Sequence, residues 1–507
     1  MDNKYFAQVA EECDEIRAAM FSEGVRDAAL IRAALGRDAV VADVGAGTGF
    51  LVQGLAPRAG RVIAVDTSAE MLAVARRNLA AFDNVEYRLA AEGEPLPLVD
   101  GEVDAVLANM ALHHRSDPAA AIRDMARALK PDGRLVITDM DEHGHGWLRE
   151  EQGDVWLGFD RTQVRAWLEA AGLANVLVQD TAETCRCQSA GSGEPAAVSI
   201  FVASAARPDP AMDEAVKAHY RQTALGERCG CGSAPAPSET RAEPVAAASC
   251  CGPAQPAAAS TSSCCGPATA PREGKAEWIP EGSWPTAAAS CCGPSTSQEG
   301  KAPGVEVLDY QVDTEADLAL GCGNAVGLAA LQPGETALDI GCGAGADVFP
   351  AAGLVGLTGR VIGVDRLPEM LERARGTAAR LGVPNVEFRQ GDALGLPAAD
   401  GEADVVMSNC VINLVQDKGR AFREAHRVLK PGGRLAISDV VTDRPFSPAQ
   451  RRDSESWAAC VAGALAEDEY VGLIRQAGFR DVTLARSEAA EAEDGTRVYS
   501  LGVRAVK

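Results

Sequence analysis

The stretch Thr336-Ala337-Leu338-Asp339-Ile340-Gly341-Cys342-Gly343-Ala344-Gly345 decides the fold of this chain. Its apolar beginning is typical of a buried strand, and its alternating glycines predict a tight loop that leads into a helix. A second apolar run follows at 360–364 and ends at the acidic Asp365. Strands that alternate with helical segments predict a parallel sheet covered by helices on both faces.

The same order of segments occurs near the start of the chain. An apolar run at 39–44 leads into Gly45-Ala46-Gly47-Thr48-Gly49, and the next run ends at Asp66. Both halves carry a Lys-Pro-x-Gly-Arg-Leu turn, at 130–135 and 430–435, and Asn109 and Asn409 hold matching positions. The repeat predicts a duplicated α/β domain, with one doubly wound, parallel-rich, Rossmann-like copy at 1–206 and another at 305–507.

The residues between the two halves, 207–304, have a different composition. From about residue 228 they are rich in Ala, Pro, Ser, Gly and Thr, and they contain three copies of Cys-Cys-Gly-Pro, which begin at Cys250, Cys264 and Cys291. Such a segment buries too little apolar surface to offset the entropy of ordering, so it is predicted to be a disordered linker. Residues 212–224, before the cysteines, can form a short helix of the second domain.

Composition narrows the range of functions. The net charge of -24 over 507 residues argues against a nucleic-acid partner, because phosphate contacts need clustered Lys and Arg. The polar, acidic start predicts no secretory signal, and no apolar run approaches the roughly 18 residues of a membrane helix. We therefore expect a cytoplasmic protein without a membrane partner. In that reducing compartment, the 15 cysteines are expected to be ligands or redox groups rather than a disulfide framework.

The two glycine loops indicate a nucleoside ligand. Glycines let the backbone approach a ligand closely, and an acid at the end of the next strand can accept both hydrogen bonds of a ribose diol. Asp66 and Asp365 hold that position. The glycine spacing differs from that of dinucleotide sites, which favours a nucleoside without phosphates. The alternative is that the glycines only form tight turns, but two such loops, each followed by an acid about 20 residues on, favour the ligand.

Both halves resemble the class I S-adenosylmethionine-dependent methyltransferases. The resemblance rests on DVGAGTGF at 43–50, DIGCGAGADVF at 339–349, GDALGLP at 391–397, the two acids and the two turns. It implies that S-adenosylmethionine is the cofactor and that Asp392 contacts its adenine amino group, where the first half has Ala90-Ala91-Glu92 instead. The implied cofactor-binding residues are Asp43, Gly45, Gly47, Gly49, Asp66, Asp339, Gly341, Gly343, Gly345, Asp365, Asp392 and Asn409.

The second half also carries cysteines in distinctive contexts. Cys410 follows the fourth strand in Ser408-Asn409-Cys410-Val411-Ile412-Asn413-Leu414, Cys460 follows Trp457-Ala458-Ala459, and Cys322 precedes the glycine loop. Each cysteine alone is more often a small buried hydrophobe, as we expect for Cys342. Several soft thiolates that converge in space are, however, the ligands that arsenite, As(III), prefers.

These contexts resemble those of the bacterial arsenite S-adenosylmethionine methyltransferases. The matching sequence motifs are SNCVINLVQDK at 408–418, LGCGN at 320–324, the Cys460 segment and an upstream Cys-Cys pair. The resemblance implies that Cys410 and Cys460 bind As(III), with Cys322 as a third ligand or a relay thiol. It further implies that Cys291 or Cys292 is the relay partner of Cys322, although the three Cys-Cys pairs leave open which pair takes part.

The resemblance predicts an arsenite methyltransferase that would detoxify arsenic. The lone pair of thiolate-bound As(III) can attack the methyl of S-adenosylmethionine directly, so no general base is required. Because methyl transfer formally oxidises arsenic, a thiol reductant must restore As(III), and the candidates are the chain's own cysteines, thioredoxin or glutathione. Two alternatives stay open: a methyltransferase for another small-molecule acceptor, and a thiol-rich protein that only sequesters metalloids.

The first half is predicted to act differently. Asn109-Met110 replaces Asn409-Cys410, and no cysteine matches Cys460 or Cys322, so arsenite methylation by the same route is not expected there. Its distinctive residues are His113, His114, His143, His145, Cys185 and Cys187. The histidines are a four-histidine metal site, solvated loop residues or polar groups of a substrate pocket, and the two cysteines could hold a thiophilic species.

Overall fold

The computed structural model describes residues 4–91, 93–226, 323–492 and 494–507. Cys291, Cys292 and Cys322, the predicted linker from residue 227 onward and Glu92 therefore lie outside the described residues. No helix in the described ranges has the length and apolar character that crossing a bilayer would require.

The first half is an α/β domain. Its strands are β1 Val40–Val44, β2 Arg61–Asp66, β3 Val85–Leu89, β4 Val103–Asn109, β5 Leu129–Met140, β6 Ala174–Gln188 and β7 Pro195–Ala206. Its helices are α1 Lys4–Val9, α2 Cys13–Met20, α3 Gly24–Ala33, α4 Phe50–Leu55, α5 Ala69–Asn78, α6 Pro118–Ala128, α7 Leu148–Glu151 and α8 Arg161–Ala170, and the next helix is α9 Pro210–Ala224. A short 3-10 helix, Leu112–His114, follows β4.

The second half repeats this plan. Its strands are β8 Thr336–Ile340, β9 Arg360–Asp365, β10 Val386–Gln390, β11 Ala403–Asn409, β12 Leu429–Thr442, β13 Arg480–Arg486, β14 Ala490–Glu491 and β15 Arg497–Val506. Its helices are α10 Ala325–Ala329, α11 Val348–Val355, α12 Pro368–Leu381, α13 Lys418–Val428, α14 Pro448–Arg451, α15 Ser454–Ala458 and α16 Glu467–Gln476, with a 3-10 helix at Ile412–Leu414.

The two sheets have corresponding strand orders. The first is β3-β2-β1-β4-β5-β7-β6 and the second is β10-β9-β8-β11-β12-β15-β13, with β14 beside β15. The first five strands of each order run parallel, and the last two pair antiparallel. The prediction of two Rossmann-like domains is confirmed. In such a sheet the carboxyl ends of β1, β4, β8 and β11 are where ligands bind.

Local sequence explains why the matching elements begin where they do. Each 3-10 helix is followed by a helix with an aspartate N-cap: the Asp117 side chain accepts from the Ala120 amide, and the Asp417 side chain accepts from the Arg420 amide. These caps satisfy amides that the first turn leaves without partners. Strands β1 and β8 are buried along almost their whole length because helices cover both faces of a parallel sheet.

Helix α9 packs against the second half, although it precedes the linker. Asp213 on α9 accepts a hydrogen bond from Arg366 at 2.8 Å, and Arg221 donates to Glu369 at 2.9 Å. Met212 and Val216 share a buried cluster with Trp457. The buried cluster around Trp457 therefore includes residues of α9, a helix that lies more than a hundred residues upstream of β8.

A buried ion pair joins the two halves. The Arg134 guanidinium donates to both oxygens of Glu469, at 2.7 and 3.2 Å, and both side chains are 6% exposed. Arg32 lies 3.5 Å from the same carboxylate. Two cations therefore face one buried carboxylate at this contact.

Candidate active sites

The glycine loop after β8 has a backbone that only glycine adopts without strain. Gly341, Gly343 and Gly345 have φ angles of 73°, 51° and 102°. A Cβ on Gly341 would collide with the Val411 side chain, next to Cys410, whereas a Cβ on Gly343 would meet nothing within 4 Å. The loop thus touches the segment after β11 and leaves open space above Gly343.

The loop after β1 has the same geometry. Gly45, Gly47 and Gly49 have φ angles of 79°, 52° and 99°. A Cβ on Gly45 would lie 2.6 Å from the Ala111 Cβ, and one on Gly47 would again meet nothing within 4 Å. Each half therefore presents bare backbone to open space, as a ligand cradle requires.

The acids after the second strands support these loops. One Asp365 oxygen accepts from the Gly343 amide at 3.0 Å and the other from the Leu367 amide at 2.9 Å. Asp66 likewise accepts from the Gly47 amide at 2.8 Å and the Ser68 amide at 2.9 Å. Burial raises the pKa of both carboxyls despite these hydrogen bonds. Each acid lies at the strand end beside its loop, and its remaining lone pairs can accept from a diol.

The acids before the loops are deeply buried. Burial, and then the nearby Asp66, raises the pKa of Asp43 to about 8. Burial likewise raises the pKa of Asp339 well above its usual value, with further contributions from Asp347 and Asp365. The Asp43 Oδ1 atom is buried and has no hydrogen-bond partner within the part of the chain that the structure describes. A ligand that carries a cationic amine would satisfy such an oxygen.

Asn409 and Asp392 of the second half both contact residues of neighbouring segments. The Asn409 amide donates to the Gly323 carbonyl at 3.0 Å and to Asp347 at 3.1 Å, which ties the end of β11 to the start of α11. Asp392 lies 3.2 Å from Arg366, the residue that also binds Asp213 of α9. Asp347 and Arg366 were not predicted from the sequence, because their only signal was their position beside the glycine loop and beside Asp365.

The structure brings Cys410 and Cys460 together. The Cys460 thiol donates to the main-chain oxygen of Cys410 at 2.9 Å, and both side chains are buried. Both residues have left-handed backbone, with φ angles of 57° and 64°. Cys410 is disulfide-bonded, whereas Cys460 is a free thiol.

The surroundings of Cys460 contain groups that the sequence analysis missed. Burial and the charge of Asp439 raise the pKa of Cys460 to about 12, and the Tyr220 hydroxyl and Lys418 act in the opposite direction. Tyr220, on α9, also donates to the Ala458 carbonyl at 3.0 Å. Burial, followed by Arg451, lowers the pKa of Lys418 to about 7. Cys460 is therefore a protonated thiol at neutral pH, within a buried polar environment.

Cys342 has a different environment. It is buried in a hydrophobic cluster with Val361 and Phe349, as expected for a small apolar residue. Burial raises the pKa of its thiol well above the usual value.

The histidines of the first half divide into two groups. His113 lies beside Asp139, with Nδ1 2.7 Å from Oδ1, and with His114 it faces Asp154. His143 and His145 pair with each other, with ring centroids 5.5 Å apart, and His145 lies 3.2 Å from Glu194. The four histidines therefore do not form one ligand set: in the described part of the chain, the group with metal-binding spacing contains Asp154 in place of His143 and His145.

Met110 and the two late cysteines complete this region. Met110 has a φ of 49°, so it repeats the left-handed backbone of Cys410 without the thiol. Cys185 and Cys187 lie on β6, and burial raises the pKa of Cys185 to about 12, with Cys187 and Asp154 adding to the effect. At neutral pH Cys185 is therefore a protonated, buried thiol.

Two family models, each described as a methyltransferase domain, match residues 42–137 and 331–478. A 2-phytyl-1,4-naphtoquinone methyltransferase from Synechococcus elongatus is 36% identical over 175 residues, which are 32% of this chain and 73% of that protein. This chain belongs to the S-adenosylmethionine-dependent methyltransferases. Its open glycine loops, and the buried Asp43 oxygen that awaits a cationic donor, fit S-adenosylmethionine as the cofactor.

Other relatives of this methyltransferase are named for arsenic. An arsenite methyltransferase from Halobacterium salinarum is 48% identical over 202 residues, or 38% of this chain. This chain spans about half (52%) of that relative's length. The crystal structure of an arsenic(III) S-adenosylmethionine methyltransferase from Chlamydomonas reinhardtii matches with 37% identity over 37% of this chain and 67% of that one, at a TM-score of 0.34.

Proposed function

We propose that the second half of this methyltransferase methylates arsenite with S-adenosylmethionine as methyl donor. The observation that carries the proposal is the contact between Cys460 and Cys410, two buried residues that meet beside the glycine loop. Two thiols at one place suit a soft, thiophilic centre such as As(III). The names of the Halobacterium and Chlamydomonas relatives support the same substrate.

Each half would hold its cofactor through the strand-end residues. In the second half these are Asp339, Gly341, Gly343, Gly345, Asp365, Asp392 and Asn409, and in the first half they are Asp43, Gly45, Gly47, Gly49 and Asp66. S-adenosylmethionine supplies an electrophilic methyl group when bound. Val411 packs on Gly341, so the neighbouring Cys410 would lie close to a cofactor bound at the glycine loop. The loop and the thiol would thus orient the two reactants towards each other.

Arsenite binding does not require a preformed thiolate. When a Cys–SH group replaces a hydroxyl on As(III), an As–S bond forms, and the thiol proton leaves with the hydroxyl as water. The high pKa of Cys460, about 12, is therefore compatible with its role as a ligand. Cys410 must first be reduced, because it is disulfide-bonded in this structure. Cys322 would be the third ligand or the relay thiol, with Cys291 or Cys292 as its relay partner.

The arsenic lone pair then acts as the nucleophile, so the site needs no general base. Burial of both cysteines keeps water from the reacting atoms. Methyl transfer uses the lone pair and leaves formal As(V). Two thiols return it to As(III) by forming a disulfide, which thioredoxin or glutathione would reduce. Such a reaction in the cytoplasm would serve arsenic detoxification.

The decisive experiment is a methylation assay on the full chain with S-adenosylmethionine, glutathione and arsenite, with the arsenic species separated by chromatography. We expect methylated arsenic from the parent protein and none from Cys410→Ser. Cys187→Ser, which removes a thiol from the first half, is the matched control and should leave the product unchanged. Persistence of methylated arsenic in Cys410→Ser would overturn the assignment. Tight arsenite binding without any methylated product would favour sequestration.

A further inference from the structure

Three side chains of the first half converge in a way that the methyl-transfer chemistry above does not use. The Nε2 atom of His113 lies 3.7 Å from Oδ1 of Asp154, and Nδ1 of His114 lies 3.9 Å from the same oxygen. One potential ligand atom from each residue lies within 4.8 Å of the other two. This spacing suits three ligands around one metal ion.

Asp139 fixes the orientation of His113. Its Oδ1 atom lies 2.7 Å from the His113 Nδ1 atom, and its other oxygen accepts the Leu112 amide at 3.1 Å. A hydrogen on Nδ1 leaves a lone pair on Nε2, and that lone pair points towards the Asp154 carboxylate. A carboxylate behind a histidine is the usual support of a metal-ligating imidazole. Two electron-rich atoms facing each other at 3.7 Å favour a cation between them.

Asp154 provides a second, independent observation. The residue is only 4% exposed, and its Oδ2 atom has no hydrogen-bond partner within the described ranges of the chain. A buried carboxylate oxygen without a partner is costly unless a cation or a donor reaches it. The Asp154 Oδ2 atom is therefore available to coordinate a metal ion.

The position of the cluster connects it with the cofactor pocket. His113 and His114 lie on the 3-10 helix directly after β4, where the second half has Ile412–Leu414 after Cys410. Ala111, two residues before His113, would contact a Cβ on Gly45 of the glycine loop. The cluster thus lies beyond the carboxyl end of β4, where the methyl acceptor of the first half would bind. We call this region the acceptor end; it corresponds to the position of Cys410 in the second half. Phe6 of α1 packs edge-on against the His114 ring, with centroids 4.9 Å apart.

We propose that His113, His114 and Asp154 bind a divalent transition-metal ion, with Zn²⁺ as the best match, at the acceptor end of the first half. Two imidazoles and a carboxylate suit Zn²⁺ and disfavour Mg²⁺ and Ca²⁺, which take oxygen ligands. Three protein ligands leave a position open. That position would take an acceptor which coordinates through oxygen or sulfur, so the first half would methylate a metal-bound small molecule rather than arsenite. His114 would exchange its long contact with the Gly153 carbonyl, at 3.3 Å, for the metal.

A cobalt titration of the reduced full chain tests the site, because Co²⁺ substitutes for Zn²⁺ and reports its ligands by absorption. Thiolates elsewhere in the chain give a near-ultraviolet charge-transfer band, whereas nitrogen and oxygen ligands give d–d bands alone. We expect the spectrum of the parent protein minus that of Asp154→Asn to contain d–d bands without the thiolate band. His114→Gln, at a side chain that is 18% exposed, should lose the same signal. His145→Gln, outside the cluster, is the matched control and should keep it.

A further variant separates the metal site from a plain ion network. Asp139→Asn keeps the shape of the side chain but removes the carboxylate behind His113, and should weaken cobalt binding by roughly ten- to a hundredfold. Far-ultraviolet circular dichroism identifies any variant that fails to fold, and His114→Gln then carries the test. Equal cobalt binding and equal spectra for the parent protein, Asp154→Asn and His114→Gln would overturn the proposal. In that case His113 is an imidazolium between two carboxylates.

Discussion

The Cys460 thiol lies 2.9 Å from the main-chain oxygen of Cys410, and both residues adopt left-handed backbone. For a residue with a Cβ, this backbone costs on the order of 1–3 kcal/mol, and it persists only where the surroundings impose it. The packing around both residues thus holds two cysteines with strained backbone in contact. Such strain is common at reactive sites.

Reduction should control arsenite binding. Because Cys410 is disulfide-bonded, the oxidised protein offers Cys460 without its partner thiol. We expect little As(III) binding before treatment with dithiothreitol and strong binding afterwards, measured by equilibrium dialysis of protein freed of the reductant. Cys410→Ser should not gain binding on reduction. Equal binding before and after reduction of the parent protein would contradict this account.

The Tyr220 hydroxyl should contribute to arsenite binding. It donates to the Ala458 carbonyl at 3.0 Å and lies close enough to Cys460 to lower the pKa of that thiol. Tyr220→Phe should weaken As(III) binding by about fivefold, the effect of roughly 1 kcal/mol for one hydrogen bond. Quenching of the nearby Trp457 can report the Kd. Tyr499→Phe, which removes a hydroxyl bound to Glu467, is the control, and a similar loss there would argue against a local role for Tyr220.

The two cofactor sites should be separable by mutation. Asp365→Ala removes the carboxylate that holds the second loop, and Asp66→Ala does the same in the first half. In calorimetric titrations with S-adenosylmethionine, each variant should lose one binding event and keep the other. Arsenite methylation should disappear only in Asp365→Ala. Loss of arsenic methylation in Asp66→Ala, with the second site still loaded, would show that the halves depend on each other.

The ion pair between the halves should stabilise the folded chain. Arg134 lowers the pKa of Glu469 although burial opposes it, so the carboxylate is charged and paired. Glu469→Gln leaves Arg134 buried without its counter-charge, which typically costs about 3–5 kcal/mol of the free energy of unfolding. Asp468→Asn, at the exposed partner of Arg32, should cost less than about 1 kcal/mol. Urea denaturation measures both, and equal costs would rule out a special role for the buried pair.

Asp43 should make stability depend on pH. Its pKa in the folded state is raised to about 8, so the native chain keeps a proton that the unfolded chain has lost. Its contribution to stability is complete below the pKa of the unfolded chain and is lost as the pH rises through about 8. Asp43→Asn, which cannot ionise, should therefore gain stability relative to the parent protein as the pH rises to that value. Urea denaturation of the cofactor-free protein at several pH values measures the gain, and Asp339→Asn should follow the same sign.

The local parts of both sites could be predicted from the sequence. A strand, a glycine loop and an acid after the next strand are set by nearby residues, so Gly343 and Asp365 were found together with their partners in the first half. Cys410 and Cys460 were named through family resemblance, and the structure places them in contact. Their roles as arsenic ligands stay predictions.

Tyr220 and Asp154 were not predicted from the sequence, and the physical reason is the same for both. Tyr220 reaches Cys460 from a helix far upstream, and Asp154 reaches His113 from a loop after β5. No periodicity or spacing reports such convergence, because it depends on how distant elements pack. Neither a four-histidine site nor a set of solvated histidines describes all four residues, for the same reason: His113 is buried, and Asp154 rather than His143 or His145 completes its group.

Helix α9 precedes the segment 227–322, and the residues on both sides of that segment lie near Cys410 and Cys460. Tyr220 binds the Ala458 carbonyl near Cys460, and on the other side the Gly323 carbonyl accepts from Asn409, beside Cys410. The described residues on either side of the segment therefore contact the surroundings of the same two cysteines. For a flexible chain whose ends are held near each other, the effective concentration of a group between them falls only slowly as the chain lengthens. We therefore expect that lengthening the segment 227–322 would slow disulfide exchange between its Cys-Cys-Gly-Pro cysteines and Cys410 only gradually.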